Sequence, residues 1–162
     1  MPLARLPAPI DHPDFLFEVK YDGFRALAHL ECGAVRLVSR NRNAFKTFPD
    51  VCISMAACLK AESAVLDGEI VHLGRDSRPE FYNLMRRRPP HHFYAFDILW
   101  LDGKDLRALP LVQRKRILRR VVPMQPAPVL YADHFEERGV DLFRAVCDRD
   151  LEGIVAKLKN GL

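Results

Sequence analysis

Apolar and polar positions alternate with a period of two through Phe15–Lys20, Arg25–Glu31 and Val35–Ser39. This predicts three short strands, the last two joined by a turn at Cys32-Gly33-Ala34. The period then changes. Phe48, Val51, Cys52, Met55 and Leu59 recur at helical spacing behind a Pro49-Asp50 start, which predicts a first helix. Ala64–Leu73 reads as a strand whose odd positions carry Val65, Asp67, Glu69 and Val71, so two carboxylates share one surface. A short helix is expected over Glu80–Met85, ahead of an Arg86-Arg87-Arg88-Pro89-Pro90 loop that runs into His91 and His92. Phe93–Leu101 is apolar on both faces and reads as a central buried strand closed by an Asp102-Gly103 turn. From Pro110 to about Val122 the spacing predicts a helix with Leu111, Ile117, Leu118 and Val121 inward and Lys115, Arg116, Arg119 and Arg120 outward; Arg114 interrupts the apolar stripe. A proline-rich break through Pro128 leads to a short strand at Val129–Ala132, a helix over Glu136–Arg149 resting on Val140, Phe143 and Cys147, and a last strand at Gly153–Leu158.

Strands mixed irregularly with helices and near-adjacent hairpins predict an α+β fold, antiparallel β-sheets flanked by helices. The chain of 162 residues, 49% apolar, suits one domain over 15–162, preceded by a segment (1–14) that prolines 2, 7, 9 and 13 should keep extended along the surface. No stretch approaches the roughly 18 consecutive apolar residues of a membrane span, and the start lacks a signal peptide's apolar run, so a soluble, cytoplasmic protein without a membrane partner is expected. Cys32, Cys52, Cys58 and Cys147 lack zinc-like spacing and are expected to be free, buried thiols.

Charge sharpens this picture. Residues 105–120 carry six basic side chains against one acid, and Arg86, Arg87 and Arg88 add three more, which together exceed the net charge of +4. A mildly acidic body with two concentrated basic patches suits a polyanion. Arg86, Arg87, Arg88, Lys115, Arg116, Arg119 and Arg120 are therefore candidate contacts to nucleic-acid phosphates.

The densest chemistry lies in Glu18-Val19-Lys20-Tyr21-Asp22-Gly23-Phe24-Arg25. In an extended stretch Glu18, Lys20 and Asp22 share a face while Phe17, Val19 and Tyr21 pack behind. An ordinary lysine is neutral in only about one molecule in a few thousand at pH 7, a handicap of roughly 4.6 kcal/mol for a nucleophile. Desolvation and nearby positive charge, from Arg25 or a metal ion, reduce that handicap, whereas Glu18 and Asp22 oppose it until they are engaged.

Lys20-Tyr21-Asp22-Gly23-Phe24-Arg25 resembles the nucleophile motif of covalent nucleotidyltransferases: ATP-dependent DNA ligases, RNA ligases and mRNA capping enzymes. Four more strings follow in the family's order. Ser39-Arg40, Leu66-Asp67-Gly68-Glu69, Tyr94-Ala95-Phe96-Asp97-Ile98-Leu99-Trp100-Leu101-Asp102-Gly103 and Glu152-Gly153-Ile154-Val155-Ala156-Lys157 resemble the later motifs. Together they look most like the adenylation domain of bacterial ATP-dependent DNA ligases, with its ATP-grasp-like nucleotidyltransferase fold.

The resemblance implies ATP and Mg2+ (or Mn2+) as cofactors and nicked double-stranded DNA as partner. Lys20 would attack the α-phosphate and hold AMP; Glu18 would accept from the adenine amino group. Arg25 and Arg40 would grip ribose or phosphate, Phe96 would stack on the base, Glu69 would meet a ribose hydroxyl or a metal-bound water, and Glu152 would hold metal. Lys157 would reach the same nucleotide, although in a straight strand it faces away from Glu152, so a bulge or twist is expected between them. Family members continue to a strand bearing two phosphate-binding lysines and to an oligonucleotide-binding barrel. Lys157-Leu158-Lys159 stands too close to the fourth motif to be that pair. The implied activity is lysyl-AMP formation for nick sealing, with weak nick closure unless another chain supplies the barrel. A catalytically weak or inactive nucleotide- or DNA-binding module is the alternative, ahead of RNA ligation or capping.

Overall fold

The computed structural model describes residues 4–124 and 128–162. Residues 1–3 of the N-terminal segment and 125–127 of the proline-rich break lie outside them. The elements run β1 (Phe15–Val19), β2 (Phe24–Glu31), β3 (Ala34–Ser39), α1 (Pro49–Cys58), β4 (Ser63–His72), α2 (Phe81–Met85), β5 (His91–Leu101), β6 (Lys104–Asp105), α3 (Leu111–Val121), β7 (Val129–Tyr131), β8 (His134–Glu136), α4 (Gly139–Cys147) and β9 (Ile154–Leu158). Two sheets result, one ordered β8-β1-β9 and one ordered β3-β2-β4-β5-β6 with β7 also on β5. Among the described residues every strand pairing is antiparallel except β5 with β7.

The larger sheet packs its core face, Ala26, Ala28, Leu30, Leu66, Ile70, Phe93, Ala95 and Ile98, into one apolar cluster with Val51 and Met55 of α1 and Leu118 and Val121 of α3. Gly68 lies within this face. A Cβ there would sit 2.5 Å from the Phe93 ring and from the Tyr94 carbonyl oxygen, so no side chain fits between β4 and β5 at that point. Gly68→Ala is expected to destabilise the fold by about 3 kcal/mol through overpacking, read as a lower urea midpoint at unchanged slope.

A bulge shapes the opposite face. Gly68 pairs with Ala95 and Asp67 with Asp97, which leaves Phe96 as the extra residue on β5. Regular alternation would send Phe96 and Asp97 to opposite faces; the insertion turns both away from the core while Ala95 and Ile98 stay in it.

In the smaller sheet Phe17 packs with Leu142 and Val146 of α4, together with Ile10, Phe15, Val19, Ile154 and Ala156. Leu16 and Glu18 lie on the other face of β1, both buried. The fold differs from expectation in several places. Glu136 ends a strand rather than starting a helix, because β8 pairs with β1 (Leu16 with Glu136), and α4 begins only at Gly139, where a Cβ would strike the Ile10 carbonyl oxygen at 2.2 Å. Its buried stripe is Leu142 and Val146, one position from the expected Phe143 and Cys147. His91 and His92 open β5 instead of sitting in a loop, and His91 Nδ1 is 2.8 Å from Asp50. Cys32 and Cys147 are exposed, not buried. Arg114, the break in the α3 stripe, is buried against Asp97 through two hydrogen bonds of 2.9 and 3.0 Å.

No helix among the described residues is long and apolar enough to cross a membrane.

Candidate active site

The site lies where the two sheets meet. β1 delivers Glu18 and then Lys20 on the face opposite Phe17 and Val19, as strand alternation requires. The Lys20 backbone N–H donates to the Gly153 carbonyl at 2.8 Å, which clamps the end of β1 to the start of β9. Gly153 has φ of +149°, so the chain turns before β9 becomes regular, and Glu152 is not bound by the strand's alternation. That turn is the twist needed for Glu152 and Lys157 to face one space. Glu152 forms an ion pair with Lys20 Nζ.

Across the seam, β2 and β4 place Arg25 directly opposite Glu69. Arg25 reaches diagonally to Asp67, donating from Nε at 3.0 Å and Nη2 at 2.7 Å. Its guanidinium also lies 5.5 Å from the centre of the Phe96 ring, and Lys157 Nζ lies 4.3 Å from the same ring. Phe96 is half-buried and stands outside the core, a ring face attended by two cations.

Burial raises the Glu69 carboxyl from its ordinary 4.5 to about 7, against the opposing pull of Arg25 and Lys20. Between those values the native chain holds the proton more tightly than the unfolded chain. The stabilising contribution is therefore full below about pH 4.5 and lost as pH rises through about 7, and it amounts to about 3 kcal/mol. Glu69→Gln is expected to remove that decline from the pH dependence of the unfolding free energy, measured by urea titration from pH 4 to 8.

Glu18, only 3% exposed, sits between two lysines: Lys115 Nζ at 2.8 Å from Oε1 and Lys157 Nζ at 2.7 Å from Oε2. Lys115 was expected on the outer face of α3 as a phosphate contact. It is 1% exposed and points inward, so that expectation is corrected: its ammonium donates to the Ala132 carbonyl at 2.7 Å and the Phe96 carbonyl at 3.3 Å. Burial pushes its pKa down, and Glu18 opposes the shift. A basic run had masked it, since four cations in six residues read as a solvated face.

Of the remaining candidates, Arg40 lies exposed on the turn after β3, directly after Ser39, whose partner on β2 is Ala26, the neighbour of Arg25. Arg86, Arg87, Arg88, Arg116, Arg119 and Arg120 are exposed. Arg87 pairs with Thr47, Arg88 donates to Asn83 at 3.1 Å, and Arg119 lies 3.4 Å from Asp133. One contact escaped the sequence reading. Tyr21 stacks on Tyr94 with ring centres 3.8 Å apart, joining the turn after Lys20 to β5, and burial pushes the Tyr21 hydroxyl pKa up.

A family model described as ATP dependent DNA ligase domain matches residues 9–162. The DNA ligase of Aeropyrum pernix is 33% identical over 158 residues, covering 86% of this chain and 26% of that protein. The bifunctional non-homologous end joining protein LigD of Bacillus subtilis is 34% identical over 181 residues, covering 91% of this chain and 29% of that protein. A solved structure of mycobacterial DNA ligase D complexed with ATP and MES matches with a TM-score of 0.79 at 26% identity, over 94% of this chain and 50% of that one. The fold is that of a ligase-type nucleotidyltransferase domain. The chain belongs to the ATP-dependent DNA ligase domain family. It spans about a quarter of the length of these two curated relatives and half of the solved chain.

Proposed function

We propose that this chain is the adenylating domain of an ATP-dependent DNA ligase and that Lys20 is its nucleophile. The observation that carries the reading is the placement of Lys20 at the seam, paired with Glu152 and near enough to Glu69 to draw on its carboxyl, with Arg25 opposite Glu69 and over the Phe96 ring. In the ligand-free chain the attack requires the Lys20–Glu152 pair to open and the ammonium to give a proton to solvent. The nitrogen–phosphorus bond to the α-phosphate then forms as the phosphorus–oxygen bond to pyrophosphate breaks, and pyrophosphate leaves with the electron pair. Lysyl-AMP passes its AMP to the 5′-phosphate of a nick, and the neighbouring 3′-hydroxyl displaces it.

Phe96 supplies the face on which adenine stacks, worth about 1 to 3 kcal/mol for a base on an aromatic ring. Arg25, oriented by Asp67, and Glu69 meet the ribose and phosphates. Glu152 and Glu69 suit magnesium, or manganese, because this hard cation takes few carboxylates and a cation beside Glu69 would relieve the cost of ionising it in a buried place. Among the described residues no three such groups converge to cage an ion unaided, so water and phosphate oxygens would complete its shell. The bound metal would neutralise phosphate charge. Arg86, Arg88, Arg116 and Arg120 are available for duplex phosphates, contacts that carry no sequence information and weaken with salt.

Intact mass after incubation with ATP and magnesium tests the proposal. A gain of one AMP is expected; a folded chain that gains none would overturn it.

A further inference from the structure

We infer that Lys115 is a positioning residue for base selection: from inside the fold it fixes the Glu18 carboxylate as an anionic acceptor that reads the base's amino group. This rests on the adenylation proposal and on the contact of Glu18 with the adenine amino group that the family resemblance implies, and it assigns a role to a residue that the charge pattern places on the outer surface.

The two lysines on Glu18 are not equivalent. Lys115 is 1% exposed and its ammonium is saturated by the Ala132 and Phe96 carbonyls in addition to Glu18, with the Tyr131 ring 4.5 Å away. The Lys157 side chain is 24% exposed, sits on the solvent side and lies over the Phe96 ring, the space a stacked base would take. A base entering that space displaces Lys157 and leaves Lys115 in place.

The acceptor capacity of Glu18 is also only partly used. Oε2 is held by Lys157, the group a base would displace, while Oε1 is buried 2.8 Å from the Lys115 ammonium. A buried carboxylate left without its inner cation would cease to be a reliable anionic acceptor. With Lys115 present, adenine's exocyclic amine finds an acceptor, whereas the guanine carbonyl at the same position meets a like partial charge.

Base preference is the readout, because a merely structural lysine would not alter it. Rates of lysyl-AMP formation would be measured against concentration for ATP, GTP and purine riboside triphosphate, which lacks the amino group. Lys115→Met is expected to lower the preference for ATP over both analogues about tenfold, mainly through KM, the size of one charge-assisted hydrogen bond. A folded variant with wild-type preference would overturn the inference.

Because Lys115→Met alone strands Glu18 and can unfold the chain, the change is also made in a Glu18→Gln background, where both buried charges are gone. There Lys115→Met is expected to cause no further loss of preference. A further loss would show that Lys115 acts by another route and would overturn the inference. Absence of any adduct in the wild-type chain would instead sink the underlying adenylation proposal, so the two failures are distinguishable.

Discussion

Lys20→Ala is expected to abolish the AMP adduct completely, with the mass unchanged after ATP and magnesium and no pyrophosphate released. The effect is total because Lys115 is locked among Glu18 and two carbonyls, and Lys157, even when displaced by a base, starts from the Phe96 ring and not from the Glu152 end of the seam where Lys20 stands. Lys20→Arg should be equally silent, since a guanidinium keeps its charge at every working pH and offers no lone pair for attack. Thermal stability of both variants should stay near wild type, because the Lys20–Glu152 pair is partly exposed and such pairs contribute little to folding. An adduct in Lys20→Ala would move the nucleophile elsewhere.

The second large effect concerns folding. Arg114 is 6% exposed at its side chain and Asp97 15%, and their two hydrogen bonds tie α3 to the strand that carries Phe96. Arg114→Ala leaves the Asp97 carboxylate without its cation, and breaking a buried pair from one side costs about 3 to 5 kcal/mol. Urea unfolding should register that loss. Arg107→Ala, which removes an exposed pair with Asp105, should leave the midpoint where it was. Equal effects from the two substitutions would mean that the Arg114 pair is not the anchor its geometry suggests.

Much of this architecture was legible in the pattern of residues, and the exceptions share a cause. The first strands, α1, β4 and the apolar β5 follow from local periodicity, because each has a single face or stripe to bury. The strand at His134–Glu136 has no such signature: its three residues are ordered by pairing with β1, far away in sequence. The same holds for the register of α4, fixed by the close approach of Ile10 to Gly139. At the site, the motif spacing named Lys20, Arg25, Glu69 and Glu152, and strand alternation placed Glu18 with Lys20. The inward turn of Lys115 was not readable, since a lysine among arginines gives no local sign that a glutamate on β1, distant in the chain, is waiting for it. Nor was the Tyr21–Tyr94 stack, which depends on how two sheets meet.

The bulge in β5 gives the site an unusual dependence on chain length. Phe96 and Asp97 share a face only because β5 carries one residue more than β4 at that point. Removing one of them would restore ordinary alternation, leave Ala95 and Ile98 in the core, and force a choice between an aromatic platform and the carboxylate that anchors α3. Substitution can vary what stands at these two positions, but only an inserted residue could have provided both, so at this point the exposed ring face and the anchor of α3 trace back to the count of residues.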